Sequence, residues 1–70
     1  MDEIVFLVTE EKEAGGYSAA CNRFGIFTQG DTLDELYVMV RDAVACRFED
    51  EAVKPARIRL HFVRDEIIAA

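Results

Sequence analysis

The side chains able to do chemistry in this 70-residue chain are few, and their spacing argues against most chemistries. His61 is the only histidine. Acid–base catalysis by a lone histidine needs an oriented partner and a pocket, and His61 falls on an alternating segment where it reads as a surface or interface residue. Cys21 and Cys46 have neither CxxC spacing nor histidines beside them, and no base accompanies either in sequence. They read as reduced, structural thiols of a cytoplasmic protein rather than nucleophiles or metal ligands. Asp31, Asp34, Glu35 and Asp42 could suggest a cation site, but EF-hand spacing is absent and the first three have a simpler role at a helix start. No catalytic residue, metal ligand or cofactor-binding residue is assigned.

The charges are more informative. Fourteen acidic and eight basic residues give a net charge of -6. Such a surface repels phosphate backbones, which argues against direct nucleic-acid binding by this chain. It favours a basic protein partner, because charge complementarity raises association rates and suppresses wrong partners. Against that background Arg57, Arg59 and Arg64 with His61 form a basic edge. It serves either as a docking strip for carboxylates of a partner or second subunit, or as protection of an edge strand from aggregation.

Elements able to position these groups follow from periodicity. Ile4 to Val8 is apolar without alternation, which predicts a strand (4–9) inside the sheet with both faces covered. Glu10 to Gly16 is charged and ends in two glycines, a hairpin signal. Strands are expected at 17–22 and 26–29, separated by a tight turn at Arg23-Phe24-Gly25. Thr32-Leu-Asp-Glu35 is a capping box that opens a helix over 33–49. Leu33, Leu36, Tyr37, Val40, Ala43, Val44 and Phe48 share its apolar face. Arg47 also falls there, its stem expected to pack and its guanidinium to snorkel or pair with an acid. Glu51 to Pro55 connects to a strand over 56–63 in which Ile58, Leu60 and Phe62 alternate with Arg57, Arg59 and His61. Asp65 to Ala70 is a tail with Ile67 and Ile68 available for packing.

One α+β domain spanning 1–70 results, in the order β-β-β-α-β. A helical crossover returns the last strand parallel to a neighbour, and the doubly apolar first strand is that neighbour. The predicted sheet is mixed, with order 3-2-1-4 and the helix on one face. The other face, carrying Val5, Leu7, Arg57, Arg59 and His61, is left half apolar. Such a patch on a small sheet marks an interface, here assigned to a homo-oligomer, a dimer or tetramer. A 70-residue chain buries only about 60% of its unfolded surface, so self-association is a natural supplement. The longest apolar run is far below the ~20 residues of a spanning helix. The Met-Asp-Glu start has the wrong sign for a signal peptide.

An apolar strand at Ile4 to Thr9, an acidic turn, Gly15-Gly16-Tyr17, Gly25-Ile26-Phe27, Thr28-Gln29-Gly30-Asp31-Thr32 and a capped helix follow one another in an order that resembles the HicB antitoxin family. The likeness covers roughly residues 4 to 50 and implies a partial ribonuclease-H-like fold. It also implies a role in a type II toxin–antitoxin pair, in which the antitoxin binds a small basic HicA-type mRNA interferase and masks its catalytic histidine. Two departures stand out. The chain stops at Ala70, short of the C-terminal DNA-binding domain of many relatives, so DNA binding of its own is not expected. Ser18 to Phe24 also replaces a proline-rich stretch.

The function expected from residues and resemblance together is a non-catalytic antitoxin-like module. Its acidic rim would replace RNA phosphates on the partner, through Glu10, Glu11, Glu13, Arg23, Phe24 and Asp31. The alternative is a stand-alone homo-oligomeric domain with a structural or regulatory role that self-associates through the open sheet face.

Overall fold

Eight residues, Glu3–Glu10, form strand β1 at the centre of the sheet in a computed structural model that describes residues 2–50, 52–64 and 66–70. Met1, Glu51 and Asp65, which the sequence reading places at the chain start, in the connection after the helix and in the tail, lie outside the described residues. Strand β2 (Tyr17–Cys21) pairs antiparallel with β1, and β3 (Ile26–Gly30) pairs antiparallel with β2. Helix α1 (Leu33–Arg47) crosses over, and β4 (Arg57–Val63) lies parallel to β1. The sheet order is β3-β2-β1-β4, as patterning and the crossover rule predict.

Ile4, Phe6 and Val8 are buried against Leu36, Val40, Val44 and Phe48 of the helical side, and Ala19 and Cys21 complete the core. Covering both faces of β1, as its unbroken apolar run predicts, is achieved on one face only. Val5 and Leu7 point to the side without a helix and are 43% and 46% exposed.

The helix begins as its cap requires. The Glu35 amide donates to Thr32 Oγ1 at 3.1 Å, and the Leu36 amide donates to the Thr32 carbonyl. The reciprocal half of the capping box, from the Thr32 amide to the Glu35 carboxylate, is not formed among the described residues. The helix ends at Arg47, two residues short of the predicted bound, because Phe48 leaves helical geometry (φ -117°, ψ 70°). That turn buries Phe48 in an edge-to-face contact with Phe24, centroids 5.1 Å apart. At the β2–β3 connection, Asn22–Phe24 form one 3₁₀ turn closed by Gly25 in the left-handed region.

Two glycines hold the strand-to-helix junction together. A Cβ on Gly30 would lie 2.7 Å from the Leu36 amide nitrogen, so only glycine lets β3 run this close to the first helical turn. Gly16 has φ +86°, and a Cβ there would meet the Gly30 carbonyl oxygen at 2.7 Å. Gly16 therefore packs on the backbone of Gly30, and Gly30 in turn on the first turn of the helix.

Helix α1 packs on β1 and β2, comes closest to the backbone of β3 at its first turn, and leaves β4 at the margin. Ile58 and Leu60 are in consequence only half-buried, and Phe62 is 50% exposed.

Gly30→Ala should destabilise the fold by about 1–3 kcal/mol through overpacking against backbone that cannot yield. Thr32→Ala, which loses only the cap, should cost about 1 kcal/mol. Urea unfolding followed by circular dichroism measures both, and an unchanged midpoint for Gly30→Ala would contradict the close packing.

Candidate interaction surfaces

Strand direction decides which of the candidate residues meet. The β1–β2 hairpin and the β3–α1 junction lie at one end of the sheet, since Glu10 is opposite Tyr17 and Tyr17 is opposite Gly30. Glu10, Glu11, Glu13 and Asp31 therefore gather there, joined by Asp34 and Glu35 of the first helical turn. All six are exposed, with Lys12 among them. The hairpin is ordered by its backbone: Glu11 N–H donates to the Gly16 carbonyl at 2.9 Å, and the Ser18 hydroxyl donates to Glu11 Oε1 at 3.1 Å. Two oxygens of Glu11 are engaged, its carbonyl accepting from the Gly15 N–H at 2.6 Å and its side chain from Ser18, whereas among the described residues the side chains of Glu10, Glu13 and Asp31 make no such bonds.

Arg23 and Phe24 sit at the opposite end, because the β2–β3 turn is one strand length away. The six residues grouped as a partner-binding rim thus divide into four and two. Phe24 is half-buried, its ring stacked by edge on Phe48 and faced by the Arg23 guanidinium at 5.2 Å and the Arg47 guanidinium at 5.7 Å. Arg47 also stands 5.5 Å from the Phe48 centroid, so it is held by aromatic faces rather than by an acid. Carboxylates thus gather at the hairpin end, whereas at the other end Arg23 and Arg47 are interspersed with Asp2, Glu49 and Asp50.

The open sheet face forms a separate surface. Phe27, Ala20, Leu7 and His61 make one row across all four strands, and Val5 and Arg59 are paired in a neighbouring row. Phe27, which the sequence reading did not assign, is 65% exposed. Its signal was present: in Ile26-Phe27-Thr28, residues 26 and 28 face the helix, so 27 must face away. Arg57, Arg59 and His61 are all exposed along the margin. Arg59 bonds to Glu3 Oε1 at 2.9 Å, diagonally across β1 and β4. The hydrogen bond from Arg59, with the positive charges of Arg59 and Arg57, lowers the Glu3 carboxyl from its ordinary value, and the hydrogen bond and negative charge of Glu3 in turn raise Arg59.

His61 neighbours apolar Leu7 on β1. Cys21 is buried on β2 and Cys46 exposed on α1, both as free thiols. Among the described residues no three His, Cys, Asp or Glu side chains converge as a metal site, and the hairpin-end carboxylates are spread accordingly. No helix among them is long and apolar enough to cross a membrane.

Two proteins are similar to this chain over most of its length. A UPF0150 protein of Thermotoga maritima is 46% identical over 67 residues, which is 96% of this chain and 91% of that protein. A UPF0150 protein of Archaeoglobus fulgidus is 46% identical over 50 residues, 71% of this chain and 73% of its own length. No protein-family model matches the chain, and no solved structure matches it significantly.

The Glu3–Arg59 pair gives a titration with a definite sign. Because the folded carboxyl titrates lower than the unfolded one, its contribution to stability is present above the ordinary carboxylate range. That contribution is lost as pH falls through the folded-state titration. NMR of the Glu3 side-chain carbonyl should show a depressed midpoint that returns toward ordinary in Arg59→Gln. A midpoint unmoved by that substitution would show that the pair does not persist in solution.

Proposed function

This chain belongs to the UPF0150 family, and we propose that within it the chain acts as a non-catalytic, HicB-like antitoxin module. It binds a small basic HicA-type mRNA interferase in the cytoplasm and masks the surface on which that enzyme holds RNA. The gathering of exposed carboxylates at the hairpin end carries this reading: Glu10, Glu13, Asp31, Asp34 and Glu35 come from two connections separated in sequence. Carboxylates spaced along a protein surface mimic the phosphates that a basic ribonuclease binds, and they steer the partner during approach. The residue order shared with HicB antitoxins, from Gly15-Gly16-Tyr17 through Thr28-Gln29-Gly30-Asp31-Thr32, supports the same role.

Arg23 and Phe24, at the far end, take no part in this contact. The recognition rim is instead the hairpin together with the first turn of α1, a surface stiffened by the Gly16–Gly30 packing and the Thr32 cap.

A second reading is favoured by the open sheet face, where Val5, Leu7 and Phe27 are exposed side by side. There the chain is a stand-alone homo-oligomer with a structural or regulatory role, associating through that face. It predicts a dimer or tetramer in light scattering that Leu7→Glu dissociates.

Co-expression with the product of the adjacent reading frame tests the first reading. A stoichiometric complex with a small basic ribonuclease is expected, with its RNA cleavage suppressed. Glu10→Lys, Glu13→Lys and Asp31→Lys combined should weaken that complex by about 10- to 1,000-fold, more strongly at low ionic strength. No complex, or one indifferent to all three reversals, would overturn it.

A further inference from the structure

A groove of about 410 Å³ runs between α1 and β4. It exists because the helix is centred on the strands before β4, leaving the inner side of β4 only partly covered. Its floor is apolar, made by Val40 and Val44 from the helix and by Ile58 and Leu60 from the strand. Its rim carries the exposed cations Arg41 and Lys54. Among the described residues neither cation is in an ion pair. An apolar trough edged by two unsatisfied positive charges, on a chain with net charge -6, suits an apolar segment carrying a carboxylate.

Such a segment is present at the other end of β4. Residues 66–70, Glu-Ile-Ile-Ala-Ala, follow the strand as an arm without regular secondary structure. Ile67 is 98% exposed and Ile68 85% exposed. The radius of gyration is 13.6 Å and the longest extent 52 Å, against roughly 11 Å of gyration radius for a compact domain of this length. The arm therefore stands off the body, with two adjacent isoleucines in water. Its one described carboxylate, Glu66, has only an exposed contact with Arg64 two residues away, a kind of pair that holds a side chain weakly.

We propose that the arm of one chain occupies the α1–β4 groove of a second copy, and the second arm the groove of the first. Ile67 and Ile68 rest on the apolar floor, and Glu66 reaches the cations Arg41 and Lys54. Reciprocal exchange of one segment closes a two-fold dimer in which the same contact is made twice. A second copy is favoured over the chain's own arm by direction. No arm residue lines the groove of its own chain, and the Lys54 side of the groove lies at the opposite end of β4 from where the arm leaves. Filling it internally would need a sharp reversal directly after Val63, whereas a neighbouring molecule receives the arm as it leaves the strand. The arm leaves beside the hairpin, where Ile67 borders Glu10, Glu11 and Glu13, but the groove it fills includes neither those carboxylates nor the open sheet face, so the contact stands independently of the antitoxin reading.

Sedimentation equilibrium on the full chain provides the test. The native chain is expected to form a dimer at micromolar concentration. Combined Ile67→Asp and Ile68→Asp should raise the dissociation constant by at least about 100-fold while leaving the circular dichroism spectrum unchanged. Lys54→Glu and Glu66→Lys should each weaken self-association by about 10-fold. Mixing those two variants should restore a heterodimer, since each groove then meets an arm of opposite charge. A monomer at all concentrations would overturn the proposal, as would failure of the mixture to associate. So would a dimer that survives the double aspartate variant and falls apart only with Leu7→Glu, because it would belong to the open face.

Discussion

One helix cannot cover four strands. Neighbouring strands lie about 4.8 Å apart and a helix with its side chains is about 10–12 Å across, so α1 can seat on two strands and reach part of a third. It covers β1 and β2, whose Ile4, Phe6, Val8, Ala19 and Cys21 are buried with Leu36, Val40 and Val44, while the Gly30 approach and the Thr32 cap tie its first turn to the end of β3. The half-exposed inner side of β4, the groove beside it and the wholly open outer face all follow from that single shortage of cover. Among the described residues no further element closes them, and association is a physical remedy for such a shortage.

The topology was legible because each step is forced by local chemistry. Ile4 to Val8 has no polar phase, so it had to lie between two strands. The helix between β3 and the last strand had to cross over, and a crossover strand pairs in parallel with an available neighbour. Thr32 announced the helix start. The lateral seat of the helix was not legible, because the apolar stripe of α1 says which side faces the sheet but not over which strands it lies. The early end at Arg47 was hidden for a similar reason: Phe48 continues the helical stripe by angle, and only the ring of Phe24, placed by a turn far away in sequence, draws it off the helix axis.

Candidate residues were legible by type and less so by place. Four of the six rim residues meet, and two do not, because in a meander successive turns fall at opposite ends. That parity was available from the strand count alone and separates Arg23 and Phe24 from the acidic hairpin. The two arginines near Phe24 then acquire a different meaning: Arg23 and Arg47 hold the aromatic pair at the far end rather than meeting a partner's carboxylates. With acids gathered at the hairpin end and charges of both signs mixed at the other, an approaching basic protein is drawn toward the hairpin before it meets any shape.

Pairing of β1 with β4 joins residues 3–9 to residues 57–63, the widest sequence separation in the sheet. On the ribosome, the hairpin and helix can form while β1 still lacks its second neighbour, so a nascent chain displays a strongly apolar strand with one unpaired edge until residues 57–63 have emerged. Such an interval exposes a ready template for strand addition, and slow closure of distant ends lengthens it. Folding of this small protein is thus a race between its own last strand and any other strand nearby, and the arginines of β4 discourage the wrong pairing once the right one has formed.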